Sequence, residues 1–190
     1  ISLQDAMIND IDINVRSAFI NSNGTTISNN QQLFNKNPIT GIAFTKNEAK
    51  ITLIGVMDRP GTAASIFKPL ADNQINVDMV VQTSSPDGGQ TDITFTIIKD
   101  DVKNCIKILK ENKKISYKKI IHDDKVSKVS VVGAGMIATP GVTYRMFQAL
   151  AKKKINIMVI STSEIKISVL INQKNIKKAI RVLHKEFDLE

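Results

Sequence analysis

Apolar and polar positions along this chain change period in a fixed order, and the order occurs twice. In residues 50–80, KITLIGVMDRPGTAASIFKPLADNQINVDMV, an apolar strand through Ile51, Leu53 and Ile54 is broken at Pro60-Gly61. A helix follows, with Ala63, Ile66, Phe67 and Leu70 on one stripe, and then Ile75, Val77, Met79 and Val81 alternate as a half-buried strand. Residues 84–89, SSPDGG, read as a hairpin connection into a strand through Ile93, Phe95 and Ile97. Val102, Ile106 and Leu109 mark a second helix, and residues 117–121 supply a fourth strand.

Residues 128–160, KVSVVGAGMIATPGVTYRMFQALAKKKINIMVI, repeat this unit with two residues inserted before the second Pro-Gly. The match continues with 91–98 (TDITFTII) opposite 163–170 (SEIKISVL), and with 102–110 opposite 176–184. Each copy is βαββα, and the first completes βαββαβ, the ferredoxin-like plan. The fold class predicted is therefore α+β: two such units, side by side in an extended antiparallel sheet with helices on one face. The second copy ends on its helix, which leaves an uncovered sheet edge. Residues 38–44, PITGIAF, are an unassigned strand that can fill it, making the second domain 38–47 plus 125–190, with the first, 48–124, inserted. An N-terminal arm packing elsewhere is the alternative. Residues 1–37 fit neither copy and have too little apolar surface to form a core alone, as for the tail of an upstream domain.

Composition narrows the chemistry. The 190 residues are 42% hydrophobic and 23% charged, a globular balance, with no apolar run approaching the roughly 20 residues a bilayer requires. A basic start and an apolar signal core are both missing at the N-terminus, so a cytoplasmic setting is expected. Cys105 is a lone cysteine inside an apolar-periodic stretch and reads as core; with two histidines, a Cys/His metal cage is not expected. The net charge of +8 invites nucleic acid. Only four of the 26 basic residues are Arg, there is no Trp, and aromatics are 5%, which argues against base reading or stacking on single strands.

Several motifs compete with plain structural readings. Residues 133–138, GAGMIA, satisfy the dinucleotide pattern G-x-G-x-x-A. Pro140-Gly141 postpones the helix, too little chain remains for that fold, and the first copy lacks the double Gly. His122, in His122-Asp123-Asp124, reads as a solvated linker between the units rather than a general base. No Ser/His/Asp set, Cys/His pair or carboxylate dyad is visible. The chain reads as a binder, not a catalyst.

Better candidates are the two loops that enter helices, 58–63 (DRPGTA) and 138–143 (ATPGVT). Free N–H groups and the positive end of the helix dipole suit a carboxylate there, although an ordinary strand-to-helix turn has the same sequence. Asn76 and Asn156 hold equivalent places, either as turn residues tolerating positive φ or as ligand contacts. Gln82, Ser85, Thr94, Ser161, Ser163 and Glu164 are polar groups on or beside the central strands, which solvent alone would also explain.

Taken together, D-x-P-G at 58–61, INVDMVVQ at 75–82, TDITF at 91–95, VSVVGAGM at 129–136 and NIMVISTSEIKISV at 156–169 resemble the tandem ACT regulatory region of the aspartate kinases. Residues 15–19 with Gly24-Thr25 resemble the last strand of that family's kinase domain. The resemblance implies part of an enzyme that phosphorylates L-aspartate with ATP and Mg in lysine, threonine and methionine biosynthesis. This chain would carry no catalytic residue, cofactor or metal site and would be inactive alone. Its implied task is sensing L-lysine and/or L-threonine where ACT units meet. The implied effector contacts are Asp58, Pro60, Gly61, Thr62, Ala63, Gln82, Ser85, Thr94, Asn156, Ile157, Ser163 and Glu164. Asn76, Val77, Thr139, Pro140, Gly141 and Val142 form a possible second site. Side-by-side pairing implies a homodimer with an eight-stranded sheet, and neither nucleic acid nor membrane as partner. The alternative is a stand-alone ACT-type module that controls another enzyme, against which the kinase-like residues 12–26 speak.

Overall fold

The computed structural model describes residues 6, 9, 11–28, 38–84, 88–136 and 139–189. Two units result, Ile1–Pro38 and Ile39–Glu190. In the first, β1 (Ile13–Val15) and β2 (Thr25–Ile27) form an antiparallel ribbon, with Asn14 Nδ2 donating to Thr26 Oγ1 at 3.0 Å. Gly24 turns the chain at φ +68°. A Cβ there would stand 2.2 Å from the Val15 carbonyl oxygen, so only glycine fits.

The second unit is one sheet of six antiparallel strands. In chain order its elements are β3 (Gly41–Met57), α1 (Thr62–Asp72), β4 (Asp78–Ser84), β5 (Gln90–Ile98), α2 (Val102–Glu111), β6 (Lys119–Val132), α3 (Val142–Lys152), β7 (Ile157–Thr162), β8 (Lys166–Asn172) and α4 (Ile176–Glu186). The strands lie in the order β4-β5-β3-β6-β8-β7, and the helices cover one face. Alternation sends Ile51, Leu53, Ile93, Phe95 and Ile97 against Ile66 and Leu70 of α1 and Cys105 and Leu109 of α2. Val129, Val131, Val169 and Ile171 meet Met146 and Leu150 of α3 and Leu183 of α4 in a second core, which Ile39 joins. Among the described residues no helix is long and apolar enough to cross a membrane.

Two long strands run through both halves. The first part of β3 pairs with the end of β6 (Gly41↔Val132 to Thr45↔Lys128), and its later part with the start of β6 (Lys50↔Asp123 to Ile54↔Lys119). Its pairing shifts register on either side of Glu48. This removes the linker expected at residues 122–124. His122 and Asp123 stand opposite Ile51 and Lys50 inside β6, because the backbone of a charged stretch completes a ladder as well as any other.

The repeat register also differs from the expected one. Thr52 and Thr94 hydroxyls meet at 3.0 Å, and Ser130 and Ser168 hydroxyls meet at 2.8 Å in the second half. Thr94 therefore corresponds to Ser168, and residues 92–98 to 166–172. The β7–β8 hairpin is shorter than the β4–β5 hairpin, which moves the strand match by two residues from the expected 91–98 opposite 163–170, while the match of 102–110 with 176–184 stands. The positive-φ positions after α1 and α3 are Gln74 (59°) and Lys154 (56°), two residues before Asn76 and Asn156, so turn geometry does not require those asparagines.

Candidate functional site

The site is built from the two strand-to-helix loops. At the first, Asp58 N–H donates to the Gly89 carbonyl at 3.0 Å, and Thr62 Oγ1 donates to the Met57 carbonyl at 2.9 Å. Gly61 caps α1 at φ 90° with no side chain donating to or accepting from the first turn, and open space lies over its Cα. Thr62 N–H donates to the Arg59 carbonyl at 3.1 Å, and the positive end of the helix dipole lies at this mouth. Gln82 Nε2 reaches Asp58 Oδ1 at 3.4 Å, so strand β4 brings an amide to the carboxylate at the helix mouth.

The second loop repeats this with different chemistry. Gly141 caps α3 at φ 93°, again without a side-chain cap, and Thr139 Oγ1 donates to the Gly135 carbonyl at 2.8 Å. Above it opens a hollow of about 540 Å3. Thr139, Pro140, Gly141 and Val142 line it from one side, and Thr162, Ser163 and Glu164 from the other, with Met136 and Ile167 among its apolar walls. Ser163 closes the β7–β8 turn, its N–H donating to the Lys166 carbonyl at 2.8 Å. Glu164 is exposed, and among the described residues it carries no ion pair. Ser163 and Glu164, grouped from sequence with Asp58 and Gln82, instead stand with the loop expected to form the second site. Asp58 and Gln82 do not line this hollow.

A second hollow, of about 420 Å3, lies between the two ends of the strand order, which approach one another. Val81, Thr83 and Thr94 from the first half and residues 157–160 from the second line it, so Thr94 and Ile157 come together within one chain. Asn76 and Asn156 are exposed and precede β4 and β7; Val77 packs against the first core. Pro60 and Ala63 are exposed beside the first helix mouth. Ser85 lies outside the described residues. No group of three His, Cys, Asp or Glu among the described residues gathers to hold a metal.

Sequence reasoning missed one charged cluster. On the sheet face away from the helices, Lys128 Nζ lies 2.9 Å from Glu48 Oε1 and also bonds Asp78 Oδ2. Desolvation pushes the Asp78 carboxyl up. The Lys128 hydrogen bond, the Met79 N–H, and the charges of Lys128 and Lys166 outweigh it and hold the pKa below 3.8. Desolvation likewise lowers Lys128, but Asp78 and Glu48 win and raise it above 10.5.

Comparison with known proteins places this geometry. The family model for the ACT domain matches residues 51–112 and 129–187. The aspartokinase of Corynebacterium glutamicum is 43% identical over 99% of this chain but only 46% of its own length, so the chain spans about half the length of the curated relatives it matches. The solved structure of aspartokinase alpha and beta subunits is 47% identical with a TM-score of 0.72, covering 79% of this chain and 99% of its own. The ligand-free regulatory subunit of aspartate kinase from Thermus thermophilus is 38% identical with a TM-score of 0.73, at the same 79% and 99% coverage. The chain belongs to the ACT-domain family, and within it to the regulatory regions of aspartokinases.

Proposed function

We propose that this chain is the amino-acid sensor of an aspartate kinase, binding L-lysine and/or L-threonine and passing their presence to catalytic machinery elsewhere in a longer, cytoplasmic polypeptide. Phosphorylation of L-aspartate, with ATP and Mg2+, belongs in this reading to that remainder, with residues 1–37 as its tail. The ACT units are 48–124 and 38–47 plus 125–190; the register shifts around Glu48 and the two separate cores support this division.

One observation carries the reading: an uncapped helix N-terminus faces the carboxylate of Glu164, which has no ion pair among the described residues, across a hollow of about 540 Å3. An α-carboxylate is stabilised at the N–H groups around Val142, and a side-chain ammonium at Glu164. Val142, Met136 and Ile167 line the space between for a methylene stem, which favours lysine there. The first loop, with Asp58 and Gln82 at 3.4 Å, offers an anion for an α-ammonium and an amide for a hydroxyl, which suits threonine. Asn156-Ile157 and Asn76-Val77 sit at sheet edges. They reach these loops in a homodimer whose chains pair side by side through β4 and β7, the terminal strands, where Val80 and Ile160 are exposed. Inhibition then follows from linkage, with about 1–3 kcal/mol between states giving a five- to 150-fold effect.

Calorimetric titration tests this. At least one of the two amino acids binds. Glu164→Gln weakens lysine about tenfold while leaving threonine unchanged, and Gln82→Ala does the reverse. Heat-free titrations with both, on folded dimeric protein, overturn the reading.

A further inference from the structure

The Lys128 cluster has no part in the sites above, yet it is built with care. The side chains of Glu48 and Lys128 are 6% and 16% exposed. Lys128 is on β6 and Asp78 opens β4, with β5 and β3 between them in the strand order. Across a flat sheet, three strand spacings amount to about 14 Å, beyond the reach of a lysine to an aspartate. Their bond therefore exists because the sheet curls away from its helices, the same curl that brings β4 toward β7.

The start of β4 needs this support. It is an edge strand; after Asp78↔Thr96 its ladder slips, with Met79 at φ 47°, and resumes only at Val81↔Thr94. Asp78 Oδ1 accepts the Met79 N–H at 2.8 Å while Oδ2 bonds Lys128, so one carboxylate ties the irregular backbone to the far half of the sheet. Glu48, at the register shifts of β3, holds the lysine in place.

The internal repeat supplies a control. The counterparts of Lys128 and Asp78 are Lys50 and Met158, so the mirror-related bridge has no carboxylate. Among the described residues Lys50 makes no ion pair.

We propose that Lys128 is a positioning residue that pins the start of β4, and with it Asn76-Val77, while the matching segment of β7, carrying Asn156-Ile157, is left untethered. Two edge segments that hold equivalent places in the repeat are thereby given different mobility, and a ligand using the first meets a preorganised strand. The consequence for ligands rests on the effector reading above; the tether does not.

Hydrogen exchange on the full chain tests the tether. Asp78→Asn leaves the Glu48–Lys128 pair intact and strands no buried charge, so the fold survives. A hydrogen bond to a charged group is large enough to change a local opening equilibrium about tenfold. The amides of residues 79–82 exchange about tenfold faster in Asp78→Asn, those of 159–162 are unchanged, and Lys128→Arg stays close to wild type. In wild type, 159–162 already exchange faster than 79–82. Unchanged exchange at 79–82 in Asp78→Asn, or equal exchange of the two segments in wild type, overturns the proposal. Titration with lysine and threonine separates the two readings. A wild type that binds neither removes the effector reading alone, whereas an affinity loss in Asp78→Asn for one ligand only supports both.

Discussion

Cys105 is fully buried on the inward side of α2. Burial, with the charge of Asp101 adding to it, pushes its thiol from 9.0 up to about 12. The folded pKa lies above the unfolded one, so the stability linked to this group is complete below pH 9.0 and falls as pH rises toward 12. The thiolate is the nucleophile, so native protein at pH 8 should not react with Ellman's reagent over minutes, whereas urea-unfolded protein reacts at once. Stoichiometric labelling of native protein within seconds would contradict this. Cys105 was legible as core because its neighbours Val102, Ile106 and Leu109 set the helical period. The Glu48–Lys128–Asp78 cluster was not. Its members are on three strands, Lys128 and Asp78 50 residues apart, and a polar strand position reads as solvent-facing unless the curl of the sheet is known. Glu164 was expected from sequence beside Asp58 and Gln82, whereas it lines a hollow with residues 139–142, since hairpin length decides which loop it faces.

Helix α1 contains Pro69, which cannot donate to the carbonyl of Ser65 one turn earlier. That carbonyl instead accepts from Asn112 Nδ2 at 2.8 Å, just beyond the end of α2. The second half solves the same junction differently. The counterparts of Ser65 and Asn112 are Arg145 and Glu186, whose Nε and Oε1 pair at 2.9 Å, with Arg145 stacked 5.0 Å above the Phe187 ring. Asn112→Ala leaves the Ser65 carbonyl without a donor and should cost about 1–2 kcal/mol in urea unfolding. Pro69→Ala in that background returns the backbone donor and should recover most of the loss. An additive double mutant would sink this account. The stripe of apolar residues identified α1 despite its proline, because burial of Ile66 and Leu70 outweighs local propensity. The rescuing asparagine was invisible, since nothing local to α1 points to residue 112.

At the scale of the molecule, the duplicated sequence suggests two independent bodies, but the backbone joins them. β3 and β6 pair from Gly41↔Val132 to Ile54↔Lys119, so one ladder passes beneath both cores. Melting either half would unravel β3 and β6 from one end, up to the register shifts at Glu48 where the other half's share of the ladder begins. The two turns that precede α2 and α4 also touch, with Lys99 Nζ donating to Gln173 Oε1 at 2.8 Å. Residues 39–190 should therefore unfold in one calorimetric transition. Leu109 and Leu183 are equivalent positions, fully buried in the first and second core respectively. Truncating either to Ala costs about 2–5 kcal/mol. If the halves are coupled, each variant lowers the midpoint of the same single transition and by a similar amount. If they are separate, the wild-type endotherm resolves into two, and each substitution moves only one of them. The shared strands favour the first outcome, because β3 and β6 each run from one core to the other without a break, and the Lys99–Gln173 bond joins the two halves at a second place.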